Sequence, residues 1–373
     1  MKYRFLLYIS YSYSIPIGNP IETEIKRRGY EVKWFSDEPD GSHALEGKEN
    51  ALHSIKEVLD FNPHILLVST DNVPDFIPGL KVQIFHGFLT FKRPEKGHSE
   101  AHFRVRGFFD LYCTQGPNTT EPFKALAKRN GYFDVIETGW SKVDPLFVVN
   151  QTKSLSSKVI LIASTFTRRL SLAYNEDIFD EIKRLSASGK YNFKMVLHPK
   201  LPAEIKNKWQ SLNGSHFKFY DTTDLVPLFL KSDLLLADTT SAIQEFLLQI
   251  KPVVAFRHTI KHKYLCHVDQ VSELEYNIDQ ALEFSSELKA HIQKFVADLH
   301  PYIDGKSSER VIDASIDFLH KDKSYLRSKP INLWRKYLLR KKLNYFTLKS
   351  FNSALTIPKD HRTTSHTSIH SND

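Results

Sequence analysis

Three short segments of this chain set chemically active side chains directly behind short apolar runs. In the first, Phe85-His86-Gly87, an imidazole is followed by a glycine, which lets a ligand come close to the backbone. The second, Val196-Leu197-His198-Pro199, repeats the arrangement. A single histidine after a strand is more often structural than catalytic. Two at equivalent strand ends suit group transfer, which needs a base beside an acceptor hydroxyl and a donor or cation beside a leaving phosphate. The third segment runs from Leu234 to Glu245. Its apolar run delivers Asp238, and Thr239, Thr240 and Ser241 then stand where a helix should start, so that free N–H groups and the positive dipole end would suit a phosphate. Glu245, one turn past Ser241, is placed to accept hydrogen bonds from ribose hydroxyls. A capped helix with an exposed glutamate would also account for the hydroxyls, but not for a run of three.

These segments need a scaffold, and the apolar pattern supplies one. Strands are expected over 3–9, 30–35, 64–69, 81–85, 109–114 and 134–138, with helices over 21–29, 51–59 and 121–130 and a loop over 11–20. After a polar linker at 150–157 the series restarts. Strands over 158–163, 192–197, 216–219, 234–237 and 253–256 alternate with helices over 175–186, 202–212, 223–231 and 241–249. Such alternation means βαβ units and a mostly parallel sheet. With 373 residues, two α/β halves are expected, 1–150 and 151–320, implying a cleft between them and chemistry beyond the carboxyl ends of their strands.

Composition closes off other classes. At 41% hydrophobic and 25% charged the chain is globular rather than disordered. Cys113 and Cys266 can form at most one disulfide, and no Cys/His spacing suits zinc. No apolar run approaches the roughly 18–20 residues that span a bilayer. The N-terminal stretch, interrupted by Tyr8, Ser10, Tyr11, Ser12 and Tyr13, reads as a first strand rather than a signal peptide. In a cytoplasmic protein the Asn-x-Ser/Thr matches at Asn118, Asn150 and Asn213 are then chance. The net charge of +8 comes entirely from 321–349, where ten Lys and Arg face the single Asp322, and residues 1–320 are close to neutral. Leu333, Trp334, Tyr337 and Leu338 share one helical face there, among Arg335, Lys336, Arg340, Lys341 and Lys342. A basic amphipathic helix of this kind suits an anionic inner-membrane surface, each cation contributing about 1 kcal/mol. Peripheral attachment to the cytoplasmic face of the plasma membrane is therefore expected. No nucleic-acid motif accompanies the basic segment, so no nucleic-acid partner is expected. The tail over 350–373, rich in Ser, Thr and His, is expected to be disordered.

In order and spacing these motifs resemble the CDP-glycerol glycerophosphotransferase family, enzymes that build teichoic acids and some capsular or lipopolysaccharide phosphopolymers on a GT-B fold. The likeness is carried by HGF at 86–88, Cys113-Thr114-Gln115-Gly116, TGWSKVDPLF at 138–147, ASTF at 163–166, LHP at 197–199, ADTTSAIQEF at 237–246 and KPVVAF at 251–256. Together they cover about residues 80–260, and the basic segment is similar to the membrane-targeting helices such enzymes use. The sequence departs from the family pattern at Lys92, which comes one residue late after the His-Gly pair. It departs also at Ser141-Lys142-Val143-Asp144, which keeps only the final acid, and at Asp238-Thr239-Thr240-Ser241, which replaces Asp-Tyr-Ser-Ser.

The resemblance implies two Rossmann-like α/β domains, an acceptor side at 1–150 and a nucleotide-donor side at 151–320. His86 would be the general base and His198 would contact the donor phosphates. Thr165, Thr239, Thr240 and Ser241 would hold the pyrophosphate, Glu245 the ribose, and Asp238 would orient the loop. Gly87, Lys92 and Arg168 are further candidates for phosphate contact. The implied reaction moves a polyol phosphate from CDP-glycerol, or a related nucleotide-activated donor, to a hydroxyl of a glycan or glycolipid acceptor, releasing CMP. No acidic cluster of the kind that holds Mg²⁺ is visible, so no cofactor and no obligatory protein-bound metal is expected. Two alternatives stand beside this reading. One is a GT-B sugar-nucleotide glycosyltransferase of capsule or lipopolysaccharide synthesis, because ADTTSAIQEF is also similar to the segment such transferases and UDP-GlcNAc 2-epimerases use. The other is a non-catalytic scaffold at the membrane surface.

Overall fold

The computed structural model describes residues 2–89, 103–148, 157–346, 356–360 and 362. The chain forms two compact units, Met1–Lys142 together with Lys306–Asp373, and Val143–Gly305.

The first unit opens with β1 (Arg4–Ile9), α1 (Ile15–Arg27), β2 (Glu31–Ser36), α2 (Pro39–Ala44), β3 (Ala51–Leu52), α3 (Ile55–Phe61), β4 (Ile65–Val68), β5 (Leu80–Gln83), β6 (Leu111–Thr114), α4 (Pro117–Asn130) and β7 (Asp134–Glu137). The seven strands form one parallel sheet in the order β3-β2-β1-β4-β5-β6-β7. Its central strands are buried on both faces, which is why Ile65-Leu66-Leu67-Val68 reads as an unbroken apolar run. Two expectations are corrected. Helix α1 starts at Ile15 because Pro16 falls in the first turn, where a missing N–H leaves no bond unmade. Ala51-Leu52 pairs with β2 as an edge strand, and the following helix begins only at the Ser54 cap, whose side chain accepts from Glu57 N.

Gly18 in α1 lies beneath Trp34, a fully buried indole whose Nε1 donates to Glu22 at 2.8 Å. A Cβ on Gly18 would sit 2.2 Å from the ring. Alanine is the better helix former by about 1 kcal/mol, but overpacking costs about 1–3 kcal/mol. Gly18→Ala should therefore lower the urea midpoint of the intact protein, with the slope unchanged.

The second unit follows with α5 (Pro145–Val148), β8 (Val159–Ser164), α6 (Glu176–Ser188), β9 (Asn192–Leu197), α7 (Ala203–Gln210), β10 (Phe217–Tyr220), α8 (Val226–Leu230), β11 (Leu234–Ala237), α9 (Ala242–Leu247), β12 (Val253–Phe256), β13 (Cys266–Val268), α10 (Leu274–Glu283) and α11 (Ser286–Leu299). Its strands form a parallel sheet in the order β10-β9-β8-β11-β12-β13. On one face Ile160, Ile162, Leu234, Leu236, Val254 and Phe256 pack under Ile178 and Ile182 of α6 and Ile278 of α10. The residues that alternate with them, Leu161, Leu235 and Val253, are as deeply buried on the opposite face, where α9 packs on β11 and β12.

The chain then returns to the first unit. Residues 307–320, expected with the second half, form α12 (Ser307–His320), whose buried Val311, Ile312 and Ile316 lie with α1 over the first sheet. Arg28 fixes this docking through Asp313 at 2.5 Å. In the basic segment the helix among the described residues is α13 (Leu333–Lys342), which carries the expected apolar face but is also anchored to the body. Leu339 enters the first core, Arg340 pairs with Asp75 at 3.4 Å, and Lys342 pairs with Asp37 and Glu38, each at 2.7 Å. Within the tail, Pro358 is buried and Arg362 pairs with Asp313 and Asp317 of α12, so this piece is ordered by its guanidinium fork. The remainder of 350–373, like Lys92 and Asn150, lies outside the described residues.

Candidate active site

His86 stands three residues beyond the end of β5, on an abrupt turn. Phe85 adopts φ +57°, rare for a bulky residue, and is held there by Tyr112 and Phe123, with its carbonyl accepting from Trp140 Nε1 at 3.4 Å. The turn brings the His86 ring out to solvent while its Nδ1 meets the Ser69 carbonyl at 3.2 Å. A carbonyl only accepts, so Nδ1 carries the hydrogen and Nε2 presents a lone pair. Gly87 is anchored through its carbonyl by Gln115 Nε2 at 3.0 Å, and nothing lies within 4 Å of the place a Cβ would occupy.

His86 opens into a cavity of about 530 Å³, inside the roughly 300–1,000 Å³ range of small-molecule sites. The loops after β1, β2 and β4 contribute Tyr11, Tyr13, Asp37, Asp71 and Asn72 to it, and α13 forms a wall with Trp334, Arg335, Leu338 and Lys342. Tyr11 and Tyr13 stack at 5.4 Å, and the Tyr13 ring lies 5.7 Å from His86. Burial pushes the Tyr13 phenol up to about 12, so it stays a neutral hydrogen-bond donor. Asp71 is paired with Arg106 at 3.0 Å. Sequence reasoning missed Tyr13, Asp71 and Arg106, although Tyr13 and Asp71 lie after strands, where it looked for chemistry.

In the second unit, Thr165, His198 and Asp238 each directly follow β8, β9 and β11, which are neighbours in the sheet. Asp238 is buried and accepts from Ser164 Oγ at 2.5 Å and from the N–H groups of Thr165 and Leu172, both at 2.9 Å. It thereby ties the loop after β8 to the end of β11. Burial pushes its carboxyl up to about 6 against the pull of those donors. The His198 Nδ1 accepts from Lys200 N at 3.1 Å, so in the neutral ring the hydrogen is on Nε2. Burial, with Lys200 and Lys206 nearby, lowers its pKa and favours that neutral form. Phe166 lies against the ring at 4.5 Å.

The hydroxyl run differs from the expected cap. Helix α9 has six residues, and Ser241 has helical backbone (φ −70°, ψ −17°) and makes no capping bond. Instead Thr240 Oγ1 accepts from Ala242 N at 3.4 Å, and Thr239 Oγ1 accepts from Thr259 N at 3.4 Å. Glu245 is buried rather than exposed, at 6%. Arg168 lies on the exposed loop after β8. Of the residues expected to meet a membrane, Arg340 and Lys342 are engaged with protein carboxylates and Lys336 approaches Asp75 at 3.8 Å, while Trp334, Arg335 and Lys341 are exposed.

Two parallel α/β sheets, with candidate residues behind the carboxyl ends of their central strands, define the GT-B architecture. The wall teichoic acid polymerase TagF shares the fold at a TM-score of 0.60 and 14% identity, over 85% of this chain and 88% of that one. So does the UDP-GlcNAc 2-epimerase of Neisseria meningitidis bound to UDP-GlcNAc, at 0.56 and 16%, over 84% and 100%. Over residues 26–316 the sequence matches the CDP-glycerol:poly(glycerophosphate) glycerophosphotransferase family, and the chain belongs to that family. A teichoic acid poly(ribitol-phosphate) polymerase of Bacillus spizizenii is 26% identical over 170 residues. That match covers 42% of this chain and 27% of the polymerase, so the chain spans little more than a quarter of that relative.

Proposed function

We propose that this protein transfers a polyol phosphate from CDP-glycerol to a hydroxyl of a glycan or glycolipid, releasing CMP. The observation that carries the reading is the opposite hydrogen bonding of the two histidines. His86, with Nδ1 donating to the Ser69 carbonyl, offers Nε2 as a base. His198, with Nδ1 accepting from Lys200 N, offers Nε2–H as a donor. In the proposed step His86 Nε2 takes the acceptor proton as the oxygen attacks the glycerol-bearing phosphorus. The P–O bond to CMP breaks, and His198 Nε2–H with the hydroxyls of Thr165, Thr239, Thr240 and Ser241 steadies the charge on the departing phosphate. Glu245 takes the ribose, and Asp238 acts by positioning Thr165. The open space at Gly87 admits the substrate to the backbone, and the cavity beside His86, with stacked tyrosines and carboxylates, suits a polyol or sugar acceptor. The test is incubation with CDP-glycerol and a glycerol-phosphate-primed glycolipid. CMP should accumulate; release of CDP or UDP from sugar nucleotides, with no CMP from CDP-glycerol, would overturn the assignment in favour of sugar transfer.

The acceptor is proposed to be met at an anionic membrane surface. Among the described residues no helix is long and apolar enough to cross a bilayer. Helix α13 instead exposes Leu333, Trp334, Tyr337 and Leu338 beside Arg335 and Lys341. Cosedimentation should show binding to phosphatidylglycerol vesicles that weakens with salt and is far weaker on phosphatidylcholine. Leu333→Ala with Trp334→Ala should reduce the partition at least tenfold.

A further inference from the structure

We propose that Arg168, Arg169 and Arg257 form a second phosphate site in the unit Val143–Gly305, a proposal that rests on the transferase reading and deepens it. They line a cavity of about 220 Å³ made by the loop after β8 and the end of β12. That is below the roughly 300 Å³ at which small-molecule sites begin, so the cavity fits one phosphate-bearing group rather than a nucleotide.

Three features point to an anion. No carboxylate among the described residues pairs with any of the three guanidiniums, whereas Arg184 of the same unit is paired with both Glu181 and Glu275. Arg168 instead lies over the Tyr174 ring at 5.4 Å and Arg257 over Phe256 at 5.0 Å. Like charges gathered around one cavity repel unless an anion offsets them. The neutral polar side chains there are already engaged: Ser171 Oγ accepts from Ala173 N, and Asn175 Oδ1 accepts from Ile178 N. The guanidinium N–H groups, apart from the engaged Arg257 Nε, are the charged donors open to a ligand, and their fork matches phosphate oxygens. Finally, Arg257 holds φ +46°, a left-handed backbone uncommon for arginine, fixed by its N–H to Val268 O at 2.8 Å and its Nε to the Asp269 carbonyl at 3.1 Å. Strain of this kind persists where a side chain must be aimed.

The cavity is not the hydroxyl site under another name. Its Leu172 and Phe256 belong to the core face covered by α6 and α10, whereas Ser241 leads into α9 on the opposite face. It therefore holds a phosphodiester or phosphate ester of the substrate apart from the nucleotide that leaves.

The experiment uses the intact protein, with a synthetic tri(glycerol phosphate) and CMP as probes in titration calorimetry. Arg169→Gln combined with Arg257→Gln should weaken the oligomer at least tenfold and flatten its salt dependence, while CMP binding changes less than twofold. Arg→Lys at both positions should recover part of the loss. Inorganic phosphate should compete with the oligomer on the wild-type protein. Should the double variant not melt like the wild type, Arg169→Gln alone carries the same comparison, since that side chain is exposed. Unchanged oligomer binding would overturn the proposal, leaving three solvated cations. Equal loss for CMP would also overturn it, merging the cavity with the leaving-group site. Because binding is read without turnover, oligomer binding that depends on the arginines in a protein that releases no CMP would remove the transferase reading alone.

Discussion

Replacing His86 with alanine should lower kcat/KM for CDP-glycerol, read as CMP release, by about 10²–10⁴-fold, the usual contribution of a general base. The loss should fall in kcat, because the ring is exposed and no core contact goes with it. His86→Asn should not restore the rate, since an amide fills the space without supplying a base. His198→Ala should behave differently: it removes a donor to the departing phosphate, so donor affinity should weaken along with kcat. A His86 variant with wild-type turnover would remove the proton-transfer role and leave the histidine as a structural partner of Ser69.

The second large effect concerns Asp238. Alanine there strips the partner from Ser164 Oγ and from the buried N–H groups of Thr165 and Leu172. Each buried donor left unmatched costs about 1–3 kcal/mol, so Asp238→Ala should lose several kcal/mol in chemical denaturation and weaken donor binding by loosening Thr165. Asp238→Asn keeps one acceptor oxygen and should fall between. The pH dependence has a definite sign. Burial pushes this carboxyl up to about 6, above the roughly 3.9 of an unfolded chain. Its contribution to stability is therefore full below about pH 4 and is lost as pH rises through about 6. The wild-type advantage over the Asn variant should shrink across that interval; an advantage that grows would show the three donors outweighing burial.

Much of this was legible in the sequence, for physical reasons that also mark where legibility ends. Central parallel strands are buried on both faces, so β4 and β11 stand out as bare apolar runs. The edge strand β3, two residues long, leaves no such trace. The post-strand rule pointed to His86, His198 and Asp238, and the structure sets His198 and Asp238 directly behind β9 and β11 because the sheets are parallel and their carboxyl ends gather loops. It did not separate the hydroxyls by role. Ser, Thr and Thr look alike in sequence, yet here Thr240 bonds the helix and Ser241 does not, since Ser241 lacks the extended backbone of a capping residue. Nor does an amphipathic stripe say which sheet it covers, which is why α12 was expected on the second unit. The left-handed turn at Phe85 had no sequence signal, because the residue there is not glycine or asparagine.

Helix α12 makes the first unit discontinuous: its sheet comes from the N-terminal stretch and part of its cover from residues beyond Lys306. During synthesis the intervening unit emerges whole while its predecessor still lacks one layer. The apolar surface that Val311, Ile312 and Ile316 will hide stays wet until the stretch beyond Lys306 leaves the ribosome. Order of maturation therefore runs against order of translation, and a chain cut short near Gly305 would carry a finished second unit beside an unfinished, sticky first one.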